Sequence, residues 1–338
     1  MANSIQAANK SMVIFAYAVV YLVWGSTFFF IHKALSDFTP FVLGSLRFLS
    51  ASILLMTYCK MKGYVLFNKK VVKQACFVGF LLLFVDMASL IWAEQHVSSG
   101  IAAIMAAAAA IWFVVLDKPQ WKRNFSSLPI VIGLLFGFIG VIMLFAEQIT
   151  IAGDESQKWL NIFCMALLVF GSIAWTVGSL YSKYSTDKKD ESSEDLHVMV
   201  KTAWQMITAG VMFTLVALFN GEYAQLDVAD VSFSGWFSMG YLITFGSVLA
   251  FSSYIWLLQV RPATEVSTYA YVNPIVAVIL SYFFTDDIIT SLQIWGLVVI
   301  LISVLLMNWD LYKGHRYFKY FESFKKPLKK LKKLHLSN

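Results

Sequence analysis

Apolar residues in this chain come in long blocks, and the polar ones collect between them. Ten blocks stand out: Met12–His32, Phe41–Cys59, Gln74–Glu94, Ser98–Leu116, Leu128–Glu147, Trp159–Tyr181, Val198–Phe219, Gly235–Leu258, Thr264–Phe284 and Ser291–Trp309. A helix crosses the hydrocarbon core of a bilayer with roughly 20 mostly apolar residues, which is the scale of every block. The two-residue alternation of a membrane barrel is absent, and an open sheet edge would leave backbone groups unpaired in lipid. The pattern therefore predicts an all-α integral membrane protein with ten transmembrane helices. The first block exceeds the roughly 7–15-residue core of a signal peptide, and no small-residue cleavage pattern follows it. It is expected to remain as the first span.

The pattern is also written twice. A shift of 164 positions (253 − 89) carries Ser89, Ile91, Trp92 and Gln95 onto Ser253, Ile255, Trp256 and Gln259. The same shift carries Ala106, Ile111 and Val114 onto Ala270, Ile275 and Val278, and Ser127, Leu128, Ile130 and Met143 onto Ser291, Leu292, Ile294 and Met307. Aligned Trp, Gln and Ser weigh more than aligned aliphatics, which agree often by chance. Trp24-Gly25-Ser26 with Lys33 matches Trp175, Gly178-Ser179 and Lys183 more loosely. The two copies, 11–148 and 159–310, hold five spans each. An odd number inserts the second copy upside down, which relates the halves by a pseudo-two-fold axis in the membrane plane. The expected fold is two inverted five-helix repeats around a central cavity, which two near-equal packings would expose to either side in turn.

Charge fixes the expected orientation. The chain of 338 residues is 59% hydrophobic and 14% charged with a net charge of +6, against about 25% charged in soluble domains. The excess of base does not point to nucleic acid, because it lies in short loops and the tail. All 26 basic residues except Lys33, Arg47 and Lys158 fall on one side of the predicted spans. Basic loops stay in the cytoplasm, so both termini are expected there. The linker Ser182–His197 mixes Lys with Asp and Glu and reads as solvated. In the tail, 311–338, Tyr317, Phe318, Tyr320, Phe321 and Phe324 stand among lysines. That segment suits an anionic inner leaflet, at about 1 kcal/mol per base, and equally suits a solvated basic tail. Cys59, Cys76 and Cys164 lie in or beside spans and suggest no disulfide framework.

Several phrases resemble a known family. Tyr21-Leu22-Val23-Trp24-Gly25-Ser26-Thr27-Phe28, then Pro40, then Leu46-Arg47-Phe48, is similar to the opening of the EamA-type drug/metabolite transporters. The run from Pro262 through Tyr271, Asn273 and Pro274 to Val278 resembles their ninth span. The likeness covers essentially the whole chain and is nearest to inner-membrane metabolite and amino-acid exporters, the subgroup related to pectinase-regulation and aromatic amino-acid efflux proteins. It implies ten helices, export or exchange of small metabolites in a bacterial cytoplasmic membrane, and no ATP hydrolysis. Where the family carries a Leu-Gly-Glu turn, this chain reads Leu116-Asp117-Lys118 and Phe284-Thr285-Asp286-Asp287. Span four reads Ala106 to Ala110 where span nine has Pro274, so span four is expected to be the straighter helix.

Candidate chemistry is confined to a few side chains. Arg47 lies about 9 Å inside span two and Asp86 about 12 Å inside span three, at 1.5 Å per residue. Intramembrane charges usually face a partner or a watery cavity. The pair either fixes spans two and three to each other, or Arg47 meets a substrate carboxylate while Asp86 tunes it or carries a proton. Trp24, Trp92, Tyr254, Trp256, Tyr269 and Tyr271 could line an aromatic cavity, although Trp92 and Trp256 sit where interfacial anchors belong. Asn273 lies beside Pro274, whose missing N–H frees a carbonyl at depth. Glu265 reads as a cap at the start of span nine. Gly133, Gly137 and Gly140 mark a close-packing helix face.

His32, His96, His197, His315 and His335 share no metal-ligand spacing, and no phosphate-binding loop occurs. No metal, cofactor or enzymatic activity is expected. The reading that results is a secondary transporter exporting or exchanging a small metabolite, such as an amino acid, with protons or a counter-substrate. A monomer and a homodimer fit equally. The competing readings are a membrane-embedded lipid flippase or enzyme and a non-transporting sensor.

Overall fold

The computed structural model describes residues 10–150, 155–187, 196–261, 266, 268–285, 289–307 and 309, with the side chains at 149, 150, 186, 187 and 271 set aside. The tail 311–338, the middle of the linker (188–195), Glu265 and the side chain of Tyr271 thus lie outside the described residues. Ten principal helices run through the rest. Eight are long and apolar enough to cross a membrane: α1 Lys10–Ala34, α2 Pro40–Met61, α3 Lys69–Ala93, α4 Ser99–Leu116, α5 Leu128–Thr150, α6 Glu155–Asp187, α7 Val198–Phe219 and α8 Phe233–Val260. Two shorter apolar helices follow, α9 Tyr269–Phe284 and α10 Ser291–Met307. No strand occurs among the described residues.

The sequence starts and stops these helices locally. Pro40 opens α2, where its missing N–H costs nothing. Asn68, Ser98 and Ser232 cap α3, α4 and α8 by accepting first-turn N–H groups. Past the ends of α2 and α7, Gly63 and Gly221 take the left-handed conformation, with φ of 71° and 69°. Two helices widen into π turns midway: Phe80–Val85 within α3 and Leu242–Phe251 within α8.

The expectation of a straighter span four is overturned. That helix breaks at Ala108, whose N–H reaches back only three residues, to the Met105 carbonyl at 3.1 Å. Span nine runs unbroken from Tyr269 to Phe284 with Pro274 inside it. Pro274 is the sixth described residue of α9. In the alanine run no side chain resists a tightened turn.

The two sequence halves interlock. α2 packs on α7, α5 on α10 and α4 on α9; α1 packs on α8 and α9, and α6 correspondingly on α3 and α4. Small residues set the spacing. A Cβ on Gly79 would lie 2.4 Å from the Gln205 backbone, and one on Gly44 would lie 2.3 Å from the Phe213 ring. Gly133, Gly137 and Gly140 of α5 meet Ser303, Met307 and Ile300 of α10, with Ile111 also against Gly137. Outward-facing Phe163, Phe170, Phe219, Phe233 and Trp295 are exposed, as a surface solvated by lipid requires.

Because Gly79 meets backbone rather than a movable side chain, Gly79→Ala must push α3 away from α7. The expected loss is about 1–3 kcal/mol, read as a lower melting temperature in detergent. Gly240→Ala, with open space around its Cβ position, should leave melting unchanged.

Candidate functional site

A cavity enclosing about 900 Å³, its mouth included, opens where α1, α2, α3, α4, α6, α8 and α9 cross. Trp24, Arg47, Asp86 and Asn273, all singled out from the sequence, line it together. One wall is aromatic. The Trp24 ring lies 5.5 Å from Trp175, 4.9 Å from Tyr254 and 5.4 Å from Tyr269, with the Trp175 and Tyr269 planes nearly perpendicular to it. Edge-to-face contacts of this kind add about 0.5–1.5 kcal/mol beyond area burial, so the wall is stiff. The Trp24 indole N–H donates to the carbonyl of Gly246 at 3.2 Å. Gly246 lies in the π turn of α8, where the widened ladder leaves carbonyls open to such a donor.

The same turn holds Arg47, which is 4% exposed. Its Nε–H donates to the Ser247 hydroxyl at 2.9 Å, and the guanidinium lies 4.9 Å over the Phe48 ring. A Cβ on Gly246 would sit 2.9 Å from Thr27 Cγ2 and 3.4 Å from Nη2, so glycine chiefly lets α1 approach α8 beside the guanidinium. Nη1 is buried without a hydrogen-bond acceptor among the described residues. The Oδ1 atom of buried Asn273, which lines the same cavity, also has no donor among the described residues. Buried polar groups left without partners cost about 1–3 kcal/mol each, so both atoms keep hydrogen-bonding capacity that the described residues leave unspent.

Arg47 and Asp86 do not pair. Among the described residues no hydrogen bond or ion pair joins them, although both face the same space. Asp86 is half-buried, and its Oδ1 lies 3.1 Å from where a Gly171 Cβ would stand, so α6 approaches it closely. Tyr254, 1% exposed, stands behind the wall rather than in it and shares a 3.2 Å hydrogen bond with Ser179. Trp92 lies apart from the cavity, packed edge-on against Phe163 at 5.4 Å and beside His96, and Trp256 is likewise absent from the lining.

Sequence reading passed over Trp175, Ser247 and Phe251, which line the cavity, and Glu94, which is 1% exposed. Trp175 carried a usable signal, its match to Trp24. Glu94 did not, because an acid closing an apolar block reads as a boundary. Among the described residues no group of three or more His, Cys, Asp or Glu could hold a metal ion.

A multi-pass helical membrane protein with an aromatic, sparsely charged cavity between interlocked halves has the architecture of a membrane transporter. The comparisons agree: the EamA-like transporter family model matches residues 11–146 and again 162–309. The chain belongs to that family. It is 32% identical over 308 residues to the uncharacterized inner membrane transporter YedA of Escherichia coli, covering 88% of this chain and 90% of that one. It is 24% identical to the uncharacterized transporter YdfC of Bacillus subtilis, over 85% and 88% of the two chains. The WAT1-related chloroplastic protein At3g02690 of Arabidopsis thaliana is 22% identical over 85% of this chain and 67% of its own. A solved crystal structure superposes with a TM-score of 0.60 at 14% identity, over 88% of this chain and 96% of the other, a likeness of fold alone. Family and relatives indicate a transporter rather than an enzyme.

Cavity access can be read chemically. With Cys59, Cys76 and Cys164 replaced by serine or alanine, a cysteine at Ala106, which lines the cavity, should react with a small methanethiosulfonate reagent. One at Ala102, fully buried outside the lining, should not.

Proposed function

We propose that this protein is a secondary transporter of the bacterial cytoplasmic membrane, with both termini in the cytoplasm. It exports or exchanges a small metabolite bearing a carboxylate, of amino-acid type, by alternating access. The observation that carries the reading is Arg47, its Nη1 without an acceptor among the described residues, lining a cavity walled mainly by aromatic, aliphatic and small residues. A guanidinium matches a carboxylate in geometry and charge. Asp86 offers the opposite charge to an ammonium group or a proton, and Trp24 and Tyr269 offer faces to an apolar substituent. Asn273 adds one polar contact; Tyr271 belongs to the proposal as a residue of α9, and Trp92 and Tyr254 at longer range.

Alternating access follows from the inverted-repeat reading of 11–148 and 159–310. Several features support it. The cross-half packings come in mates, α1 on α9 with α6 on α4, and α1 on α8 with α6 on α3. The π turns occupy the third helix of each half, and a left-handed glycine follows the second. Two equivalent walls around one cavity can exchange roles between two packings of similar energy. The family needs no ATP, so protons or a counter-substrate supply the drive.

Counterflow in proteoliposomes tests the reading. Vesicles loaded with unlabelled amino acids, phenylalanine among them for the aromatic wall, should take up labelled substrate faster than empty ones, without chemical change to it. Arg47→Met should abolish the stimulation, and Asp86→Asn should flatten its pH dependence. Equal uptake by loaded and empty vesicles across the panel would sink the proposal; a pH dependence unchanged in Asp86→Asn would remove the proton role.

A further inference from the structure

The end of α4 holds an acid that the helix itself disfavours. Asp117 follows Leu116 directly, where the carbonyl end of the helix dipole repels a negative charge. It is nevertheless buried, at 9% exposure, and a carboxylate withdrawn from water depends on close polar partners. The segment 118–126 folds back onto the helix end but serves its carbonyls. The Trp121 indole donates to Val115 at 2.8 Å, and the Asn124 amide to Val114 at 3.3 Å. Asp117 is served instead from α6, in the other half of the chain. The Tyr184 hydroxyl donates to Oδ1 at 2.5 Å. Lys183 Nζ lies 3.9 Å from Oδ2 and 5.0 Å over the Tyr184 ring. A hydrogen bond to a carboxylate is shorter than a neutral one and about twice as strong.

These contacts stand between the cavity and one membrane face. Ala109 of α4 and Trp175 of α6 both line the cavity. Asp117 lies about 12 Å along α4 from Ala109, and Tyr184 about 14 Å along α6 from Trp175, at 1.5 Å per residue. With successive helices crossing in alternate directions, the ends of α4 and α6 share a face with the basic turn 62–68 and with the start of α9. A second tie joins the halves on that side of the cavity. The Tyr21 and Thr268 hydroxyls share a 2.5 Å hydrogen bond, next in sequence to the Trp24–Tyr269 contact of the aromatic wall.

Resting on the transport reading above, we propose that Asp117 and Tyr184, steadied by Lys183, form a latch that holds α4 against α6 and closes the cavity toward the basic turns. The latch parts before a bound molecule leaves on that side. Because it joins the halves well beyond the lining, its strength sets how often the cavity opens and leaves the binding groups as they are.

Cysteine labelling of the full-length chain tests the latch and needs no substrate. Sealed vesicles carry Ala106→Cys in the chain with Cys59, Cys76 and Cys164 replaced. A charged, impermeant methanethiosulfonate reagent is added to one face at a time, and exposed Lys62, as Lys62→Cys, identifies the basic face. Ala106→Cys should react readily from the opposite face and slowly from the basic one. Tyr184→Phe should raise the rate from the basic face about tenfold, the factor for one charge-assisted bond lost from the closed state. Asp117→Ala should act in the same direction, and the double variant should exceed the larger single change by little. Trp121→Phe removes a bond of the same corner that stays within the first half; it should lower the melting temperature and leave the rate alone. Ser172→Cys, from the same lining, gives a second reporter should Ala106→Cys fold poorly. An unchanged rate in Tyr184→Phe, whatever its melting temperature, would overturn the latch. So would fast labelling of the unaltered chain from the basic face. Should counterflow fail for every compound, the substrate reading falls, while the labelling still decides for or against the latch.

Discussion

A single positive charge held where water is scarce shapes the centre of this protein. A buried guanidinium is tolerated only where the surrounding polar groups are already in place. Here they come from the widened turn of α8: Ser247 accepts from Nε, Gly246 lets α1 approach beside the guanidinium, and the Gly246 carbonyl takes the Trp24 indole proton. One local distortion of the helix ladder thus fixes both the cation and the aromatic wall beside it. Without the π turn, Ser247 would be rotated around α8 and its carbonyl neighbours would be spent on the helix itself.

That distortion is held by its surroundings. α8 lies between α1 and α2, and α3, with its own π turn, lies between α6 and α7. Close backbone approach at Gly79 and tight seating at Gly44 keep α2, α3 and α7 in register. In lipid the hydrophobic effect adds little between helices, so packing and polar contacts must do this. At the end of the bundle away from the basic loops, polar ties complete the frame. Glu222 accepts from the first free N–H groups of α2, at Phe41 and Val42, and Asp37 accepts from Ser232 at the start of α8. Both join elements of one half to elements of the other.

Much of this was legible in residue order. The ten apolar blocks became helices because in lipid the backbone has few other ways to satisfy itself. Trp24, Arg47, Asp86 and Asn273 reached one cavity because intramembrane polar and aromatic residues seldom face lipid. What remained hidden had no sequence signature. The π turn at Phe80–Val85 is wholly apolar, and the one at Leu242–Phe251 adds only Thr244, Gly246 and Ser247 to apolar residues, so nothing announces the extra residue per turn. Equal depth suggested that Arg47 and Asp86 pair, but depth counts Cα positions and ignores the opposite lean of side chains on antiparallel helices. Proline seemed the cue for a break, yet the break fell at Ala108, where the absence of bulk, rather than a bulky ring, let the chain tighten.

The last contrast bears on how a duplicated unit can make an asymmetric site. Under the 164-residue shift (253 − 89), Ala110 in α4 corresponds to Pro274 in α9, and both helices border the cavity. α9 presents Tyr269, Asn273 and Pro274 to it, while α4 presents only Ala103, Ala106, Ala107 and Ala109. A wall of methyl groups offers a bound molecule no directional contact and costs little to move past. A wall with an amide and a ring offers both contact and orientation. The same holds along α3 and α8: Asp86 corresponds to Ala250, and only α3 carries a charge there. Whatever symmetry the repeat gave the helix frame, the polar groups do not occupy equivalent positions: the shift sets Asp86 against Ala250, and Ser247 against Leu83. A ligand in this cavity therefore meets one preferred orientation rather than two related by the repeat, a requirement for any site that must tell the carboxylate end of a small molecule from its amine.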